Sequence, residues 1–505
     1  MEVVRSANRA QHEPAPFMDS FHWADWLVIL VYLAGIILFG LWCSRGQHNT
    51  RDYFLGGKDI PWWGVGLSIV ATETSALTFI GIPALSFGGN LTFIQISFGY
   101  LLGRLLLARW VVPRYFSGEI YSPYQLFQTA FGRGAQRLAA SFFLISGTLA
   151  AGVRVYVTCI PLKLLLNIDM EYAILIFVVL SLAYTYAGGI KAVIWTDVIQ
   201  CALLVGGGLF ALFYIPTMLE GGMAVILEQP AKAGKLHWLN MTFSLGMPFN
   251  LWMGLIGATI FAMSTHGADQ LIVQRLLSCR SVEEGRKALI LSAIIIVPLF
   301  LLFLLVGTLL WVYYQAHDPV TALPFVPGSK QATQDDYIFP IFILEEMPIA
   351  MKGLLIVAVL SAAMSSVSSA LSALASVSTM DIMKGLMVQS LPEKHYLTLS
   401  RISTVFWAAI LVIVAYASRQ AASILDLAFS LSGLTSGAML GGLILALRWK
   451  GGALPVSVGM LVSFGIMLWI KFGALASQIA WPWFTLIGVI STLGVAYGVR
   501  RIIPN

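Results

Sequence analysis

The chain has 505 residues, of which 58% are hydrophobic and 11% charged, and its formal net charge is +6. Its mean hydropathy is +0.83, whereas a soluble domain carries roughly twice this charged fraction. The composition therefore excludes a soluble nucleic-acid-binding protein and favours one integral membrane protein without room for an appended catalytic domain.

Apolar runs predict about thirteen membrane-spanning helices, because about 20 apolar residues cross a bilayer core as a helix. We number them spans 0 to 12 in chain order. Their predicted bounds are Trp26–Cys43, Trp62–Ala84, Phe93–Val112, Leu138–Leu165, Tyr172–Ala187, Ala192–Tyr214, Phe249–Leu271, Leu289–Val312, Lys352–Val377, Ser400–Ala417, Leu425–Leu447, Leu454–Ile470 and Trp481–Val499. The two long segments Glu220–Pro248 and Gln315–Pro348 contain short apolar stretches, which we interpret as surface helices.

The spans also suggest a domain organisation. Residues 1–24 form an extracellular tail, 25–44 an additional helix, 61–447 the transport core and 453–499 two C-terminal helices. The core divides at about 61–216 and 249–447 into halves of opposite direction, as in the inverted repeats of secondary transporters.

Basic residues predict the orientation of the chain, because cytoplasmic loops are enriched in Lys and Arg. Those that follow spans 0, 2 and 6 fall on one side: Arg45, Arg51, Lys58, Arg114, Arg133, Arg137, Arg275, Arg280, Arg286 and Lys287. We expect an extracellular N-terminus and a cytoplasmic C-terminus in the plasma (inner) membrane.

Span 1 contains a polar interruption, and polar groups at membrane depth are costly enough to be functional candidates. Residues Ala71–Thr78 include the carboxylate Glu73 and four hydroxyl side chains. An unwound stretch here would free backbone carbonyls to bind a cation or a solute. Alternatively, Glu73 is a structural acid bonded to a neighbouring helix.

Span 8 contains a second polar stretch, formed by serines. Ser365, Ser368 and Ser369 lie on one helix face, and Ser366 lies beside them. These hydroxyls either pack against a neighbouring helix, as small residues do in membranes, or provide hard oxygen ligands for sodium. Asp197, one turn into span 5, is either an interfacial cap or a cation ligand.

Arg154 lies near the middle of span 3, where an arginine must have a partner. It either pairs with Glu73 or binds a carboxylate of the solute with its planar guanidinium. The stretch Ser430–Gly437 in span 10 combines glycines and hydroxyls, which is typical of a kink, a gate or close helix packing.

Three stretches of the sequence resemble those of a known protein family. They are FLGGKDIPWWGVGLSIVATETSALTFIG before and within span 1, GGIKAVIWTDVIQ at span 5, and GADQLIVQR after span 6 together with SAAMSSVSSALSALASVSTMDI in span 8. With them, residues 25 to 470 resemble the sodium/solute symporter family, which includes bacterial proline, galactose and sialic acid symporters. The resemblance implies an all-α, LeuT-type fold: a five-plus-five inverted repeat with discontinuous helices 1 and 6.

The resemblance also implies two co-transported sodium ions. The first would be held by backbone oxygens of Ala71, Thr74 and Ala362 and by hydroxyls of Ser365 and Ser366. The second would be held by Asp197, Ser365, Ser368 and Ser369.

The implied solute is a small molecule with a carboxylate, such as an amino acid or a sialic acid-like anion. Arg154 matches an arginine of the proline and sialic acid carriers, and Glu73 matches an aspartate of the proline carrier. A hexose is disfavoured, because the positions that match sugar-binding side chains are Thr78, Ala262 and Ile294. The predicted lining is Glu73, Ser75, Thr78, Gln95, Ser97, Arg154, Ser264, Thr265 and His266. His266 is alternatively a packed histidine near an inner gate.

Other functions compete with sodium symport. Proton coupling would use Glu73 as the titrating acid, and a neutral solute such as a sugar is an alternative cargo. A transporter-like sensor or a membrane enzyme is disfavoured, because the sequence shows neither a signalling domain nor a nucleophile–base cluster. We expect a monomer in the lipid bilayer that has no nucleic-acid partner and is not an enzyme.

Overall fold

The computed structural model describes residues 21–43, 50–74, 76–118, 120–317, 319, 323, 334–384, 392–420, 424–449, 451–473, 475 and 478–502. Every regular element in this part of the chain is a helix. The all-α prediction is therefore confirmed for the residues described.

The α-helices are numbered here in chain order. The first nine are α1 Trp23–Cys43, α2 Thr50–Leu55, α3 Trp62–Glu73, α4 Ala76–Gly88, α5 Ile96–Trp110, α6 Val112–Tyr115, α7 Tyr124–Phe131, α8 Arg133–Leu166 and α9 Met170–Tyr214. The others are α10 Gly222–Lys232, α11 Ala258–Gly267, α12 Gln270–Leu276, α13 Val282–Ala316, α14 Ile338–Glu346, α15 Met351–Val377, α16 Glu393–Ala417, α17 Ile424–Arg448, α18 Ala453–Phe472 and α19 Phe484–Ile502.

Single turns of other helix types extend several of these elements. The 3₁₀ turns are Gly56–Lys58, Leu91–Gln95, Ile215–Met218, Asp335–Tyr337, Ser418–Gln420 and Trp481–Trp483. Two π-helical stretches, Met253–Gly257 and Ser378–Met383, lie next to α11 and α15.

Ten helices among the described residues are long and apolar enough to cross a membrane, and a bent pair makes an eleventh span. The two remaining predicted spans are shorter: span 4 is represented by Met170–Leu182, and span 6 by the short helices α11 and α12. The chain is thus a multi-pass membrane protein, and the count of thirteen spans stays a prediction.

Both predicted discontinuities are present. The axis bends by 51° between Trp62–Glu73 and Thr78–Gly88. In span 6, α11 ends at Gly267, and the extended residue Asp269 (φ −89°, ψ 127°) caps α12 by accepting a 2.9 Å hydrogen bond from the backbone N–H of Leu271. Each break leaves helix-end carbonyl and N–H groups without helical partners deep in the bundle.

A third break separates spans 4 and 5. Helix α9 comprises 45 residues, which as one straight helix would measure about 67 Å at 1.5 Å per residue, more than twice the thickness of a bilayer core. Gly189 interrupts it with φ 58° and ψ 179°, a conformation that glycine adopts without a Cβ clash. The predicted boundary between these spans coincides with this glycine.

Helix α15 lies at the centre of the bundle and α1 at its edge. In the membrane-spanning window of α15, 94% of the residues are buried, against 22% in the window of α1. Helix α15 packs against α9, α8, α1 and α3, and its many alanine and serine residues permit close approach. The serine-rich face of span 8 is therefore turned into the protein.

One predicted surface helix lies in the interior. Helix α10 lies in the segment Glu220–Pro248, where a surface helix is predicted, and its exposed residues include Leu227. In α14, however, the side chains from Ile338 to Leu344 are buried, with Phe339 stacked on Phe79 of α4 at 4.9 Å between ring centroids. The prediction of a surface helix there is wrong, because the apolar residues of α14 cover the whole helix circumference.

Candidate functional site

A cavity lies where the two helix breaks face α8 and α17. It contains about 1060 Å³ of space free of protein atoms, part of it continuous with solvent. Its polar lining comprises Thr72, Glu73, Thr78, Tyr100, Ser146, Arg154, Ser264, Thr265, His266, Asp269, Ser432, Thr435 and Ser436. Phe93, Phe143, Phe261, Phe300 and Phe429 form aromatic walls. This mixture of apolar walls and a few polar groups is typical of small-molecule sites.

Six predicted lining residues reach this cavity: Glu73, Thr78, Arg154, Ser264, Thr265 and His266. Gln95 and Ser97 lie outside its lining and are fully buried. The Gln95 amide donates to the carbonyl of Thr92 at 3.1 Å and accepts from the N–H of Asn240 at 3.1 Å. Gln95 therefore holds the segment that contains Asn240 against the start of α5. Ser75 falls outside the described residues.

Glu73 lies beside two side chains that were not predicted to contact it. The buried Arg104 of α5 donates from Nη2 to Glu73 Oε2, and His266 Nε2 lies 2.9 Å from Glu73 Oε1. Arg104 also donates from Nη1 to Ser292 Oγ of α13 at 2.9 Å. The sequence signal for Arg104 was an arginine inside the apolar span 2, which requires a partner in the same way as Arg154.

Arg154 takes no part in that ion pair. It lines the cavity, and among the described residues no acidic oxygen lies within 4.0 Å of its guanidinium. The alternative in which Arg154 pairs with Glu73 is wrong, because Arg104 occupies that position. Arg154 is therefore a cation of the cavity that forms no close ion pair within the described part of the chain.

Next to the cavity, the serine face of α15 meets Asp197 of α9. Ser365 Oγ and Ser68 Oγ both donate to the Asp197 carboxylate, one to each oxygen. Ser368 Oγ donates to the carbonyl of Ser365 at 3.0 Å. Asp197 is fully buried, so a carboxylate and several hydroxyl oxygens are concentrated in one water-poor site. Such oxygens are the ligands that hard cations prefer.

An arginine also enters this cluster. Arg275 Nη2 lies 3.0 Å from Asp197 Oδ2 and 2.6 Å from Ser369 Oγ, and its Nε donates to Ser68 Oγ at 2.8 Å. The prediction that Arg275 lies in a cytoplasmic loop is wrong. Helix α12 continues to Leu276, which carries Arg275 into the bundle with 1% of its side chain exposed.

The residues of the first predicted sodium site lie on two packed helices. Ala71 is at the C-terminal end of α3 and Thr74 directly follows it, whereas Ala362, Ser365 and Ser366 are on α15. Thr74 donates from both its N–H and its hydroxyl to the carbonyl of Val70, at 2.8 and 2.6 Å. The carbonyls that follow Val70 belong to the end of α3, where helical partners are lacking.

Comparison with known proteins gives a consistent result. The family model described as "Sodium:solute symporter family" matches residues 53–457. The sodium/sialic acid symporter SiaT of Proteus mirabilis (strain HI4320) is 29% identical over 492 residues, covering 95% of this chain and 94% of that protein. The human sodium-coupled monocarboxylate transporter 1 is 27% identical and covers 88% of this chain and 72% of its own length.

A solved structure is also similar over nearly the whole chain. It is the substrate-bound, outward-open state of a Na⁺-coupled sialic acid symporter, with a TM-score of 0.86 and 27% sequence identity, covering 96% of this chain and 98% of that one. The nucleobase-cation symporter Mhp1 matches with a TM-score of 0.56 at 15% identity and supports the fold alone.

Proposed function

The chain belongs to the sodium:solute symporter family, and from that premise we propose that sodium ions drive the uptake of a small carboxylate-bearing solute by alternating access. One observation carries the choice of solute. Arg154 lines the cavity, and no acidic oxygen of the described residues lies within 4.0 Å of its guanidinium, so a carboxylate of the solute can accept two parallel hydrogen bonds from it.

We propose that two sodium ions bind beside the cavity. The first uses the oxygens of Ala71, Thr74, Ala362, Ser365 and Ser366 at the junction of α3 and α15. The second uses Asp197 together with Ser365, Ser368 and Ser369. Ser365 belongs to both sets, and its hydrogen bond to Asp197 supports a direct coupling between them. A second ion would compete with Arg275 for the Asp197 carboxylate.

The energetics favour a second ion if the solute is an anion. Each sodium supplies about 3.7 kcal/mol at 100 mV with a tenfold gradient, and moving one negative charge inward costs about 2.3 kcal/mol. One ion therefore accumulates a monoanion only about tenfold. Two ions leave about 5 kcal/mol, which is enough for about 5000-fold accumulation.

We propose that the solute contacts Arg154, Thr78, Ser264, Thr265 and the neighbourhood of Glu73 and His266. The family match and the cavity support this set, and the remainder of the solute would contact the aromatic walls.

The N-terminus is proposed to lie outside and the C-terminus in the cytoplasm, with the core at residues 61–447 flanked by helices at 25–44 and 453–499.

The function is tested with purified protein in two steps. A thermal-shift screen of sugars, amino acids, carboxylates and vitamins, each with and without sodium, is expected to find a carboxylate that stabilises the protein only with sodium. In proteoliposomes, uptake of that compound should follow an inward sodium gradient. Uptake in sodium-free vesicles under a pH gradient alone would instead establish the proton-coupled alternative.

Arg154→Ala is expected to weaken binding of the carboxylate by roughly tenfold to a hundredfold, because a charge-assisted hydrogen bond is lost. Arg154→Lys keeps the charge without the planar fork, so its dissociation constant should lie between those of the wild type and the alanine variant. Dissociation constants follow from isothermal titration in saturating sodium. A folded alanine variant that binds the carboxylate normally would exclude Arg154 from recognition, and a variant that does not fold would indicate a structural role.

A further inference from the structure

The ion pair behind the cavity has a feature that the proposed function does not use. Glu73 reaches the cavity with 12% of its side chain exposed, whereas the side chain of Arg104 is fully buried. The acid therefore lies between the cavity and its own counterion. Without that counterion, the cavity would present a second negative charge beside Asp269, which also lines it.

Arg104 is held on several sides. Its Nη2 donates to Glu73 and its Nη1 to Ser292 of α13. The ring of Tyr100, one turn earlier on α5, lies 5.5 Å from the guanidinium carbon. Tyr100 also lines the cavity, so its ring covers the arginine while Glu73 remains accessible. The guanidinium is thus placed to act on the cavity through Glu73 and not by contact with the solute.

The two carboxylate oxygens of Glu73 have separate neighbours. One oxygen receives Arg104, and the other lies 2.9 Å from His266 Nε2. His266 Nδ1 lies 3.0 Å from the carbonyl of Ala262 and 2.9 Å from Thr265 Oγ1. Because the adjacent Arg104 guanidinium already neutralises the Glu73 carboxylate, Glu73 offers little net negative charge to an ammonium group of the solute.

We propose that Arg104 is a specificity-determining positioning residue: it neutralises Glu73 at the helix break, so that Arg154 selects the solute by its negative charge. This inference rests on the proposed function, since it assumes that Arg154 receives a carboxylate. It also assigns the preferred cargo to carboxylates that carry a net negative charge, and makes Glu73 a source of charge and not a ligand.

The sign of the effect distinguishes this role from a structural one. Arg104→Gln exposes the cavity to the full charge of Glu73, so binding of an anion should weaken by roughly tenfold or more. Glu73→Gln removes the negative charge and leaves Arg104 in place, so anion binding should be unchanged or tighter. The double variant Glu73→Gln/Arg104→Gln has no charge at either position and should bind within about threefold of the wild type.

The probe is sialic acid, an anion transported by relatives, with L-lactate as a second anion and galactose as an uncharged compound. Dissociation constants are measured in saturating sodium for the wild type, the two single variants and the double variant. Ser292→Ala is the matched control, because it removes a hydrogen bond to the same guanidinium without changing any charge. Its preference for anions should remain within about threefold of the wild type.

Each outcome is decisive. If the two single variants weaken anion binding equally, or if the double variant folds and stays as weak as Arg104→Gln, the pair is structural and the inference is wrong. If Arg104→Gln does not fold, the double variant still tests the inference, because the inference requires its dissociation constant for the anion to be close to that of the wild type. A wild-type protein that binds no carboxylate of the thermal-shift screen contradicts the proposed function itself. One that binds carboxylates but prefers those without a net negative charge contradicts the inference alone.

Discussion

The variant Asp197→Asn is expected to transport one sodium ion fewer per solute, or to lose coupling altogether. Asp197 is the charged member of the proposed second sodium site, and an amide in its place cannot neutralise a cation. The substitution also leaves Arg275 without its counter-charge in the interior. Breaking a buried ion pair from one side costs about 3–5 kcal/mol of unfolding free energy, so a lower Tm should accompany the change in stoichiometry.

The measurement is the reversal potential of solute-dependent current in proteoliposomes, which gives the sodium-to-solute ratio. The double variant Asp197→Asn/Arg275→Gln separates the two effects, because it removes both charges of the pair. Its Tm should recover towards the wild-type value, while the ratio stays reduced. An unaltered ratio in the single variant would show that Asp197 does not bind a transported ion and serves only to hold Arg275.

Ser365→Ala combined with Ser366→Ala should raise the sodium concentration for half-maximal uptake by about thirtyfold. The two substitutions remove two hydroxyl ligands of the first proposed site, each worth about 1 kcal/mol. Ser365 also donates to Asp197, so the second site loses a ligand as well. The readout is the sodium dependence of initial uptake rates at saturating solute.

Ser372→Ala provides the matched control for this pair. Ser372 lies on the same helix, is buried, and its hydroxyl has no hydrogen-bond partner among the described residues. It lies two turns from Ser365 and belongs to neither proposed site, so Ser372→Ala takes a buried hydroxyl from α15 without deleting a proposed ligand. The control should keep the wild-type sodium dependence. If the double serine variant also keeps it, sodium binds elsewhere and the assignment of α15 fails.

Most of the helical architecture could be predicted from the local sequence. Apolar runs gave the spans, because a segment that lies in lipid must bury its backbone hydrogen bonds in a helix. The cluster Thr72–Thr74 marked the break in span 1, and Gly189 coincided with the boundary of spans 4 and 5, since both are local violations of a regular apolar helix. Serines at helical spacing likewise placed the polar face of α15, and that face is buried.

The partners of the charged residues were decided by the tertiary structure alone. The sequence required partners for Arg154 and Glu73, yet it could not indicate that Arg104, 31 residues from Glu73, would take the acid. It also could not indicate that Arg275 would turn inward to Asp197, 78 residues away. Hydropathy shows how costly a charge is in the membrane, whereas the choice between candidate partners depends on how the helices pack around their breaks.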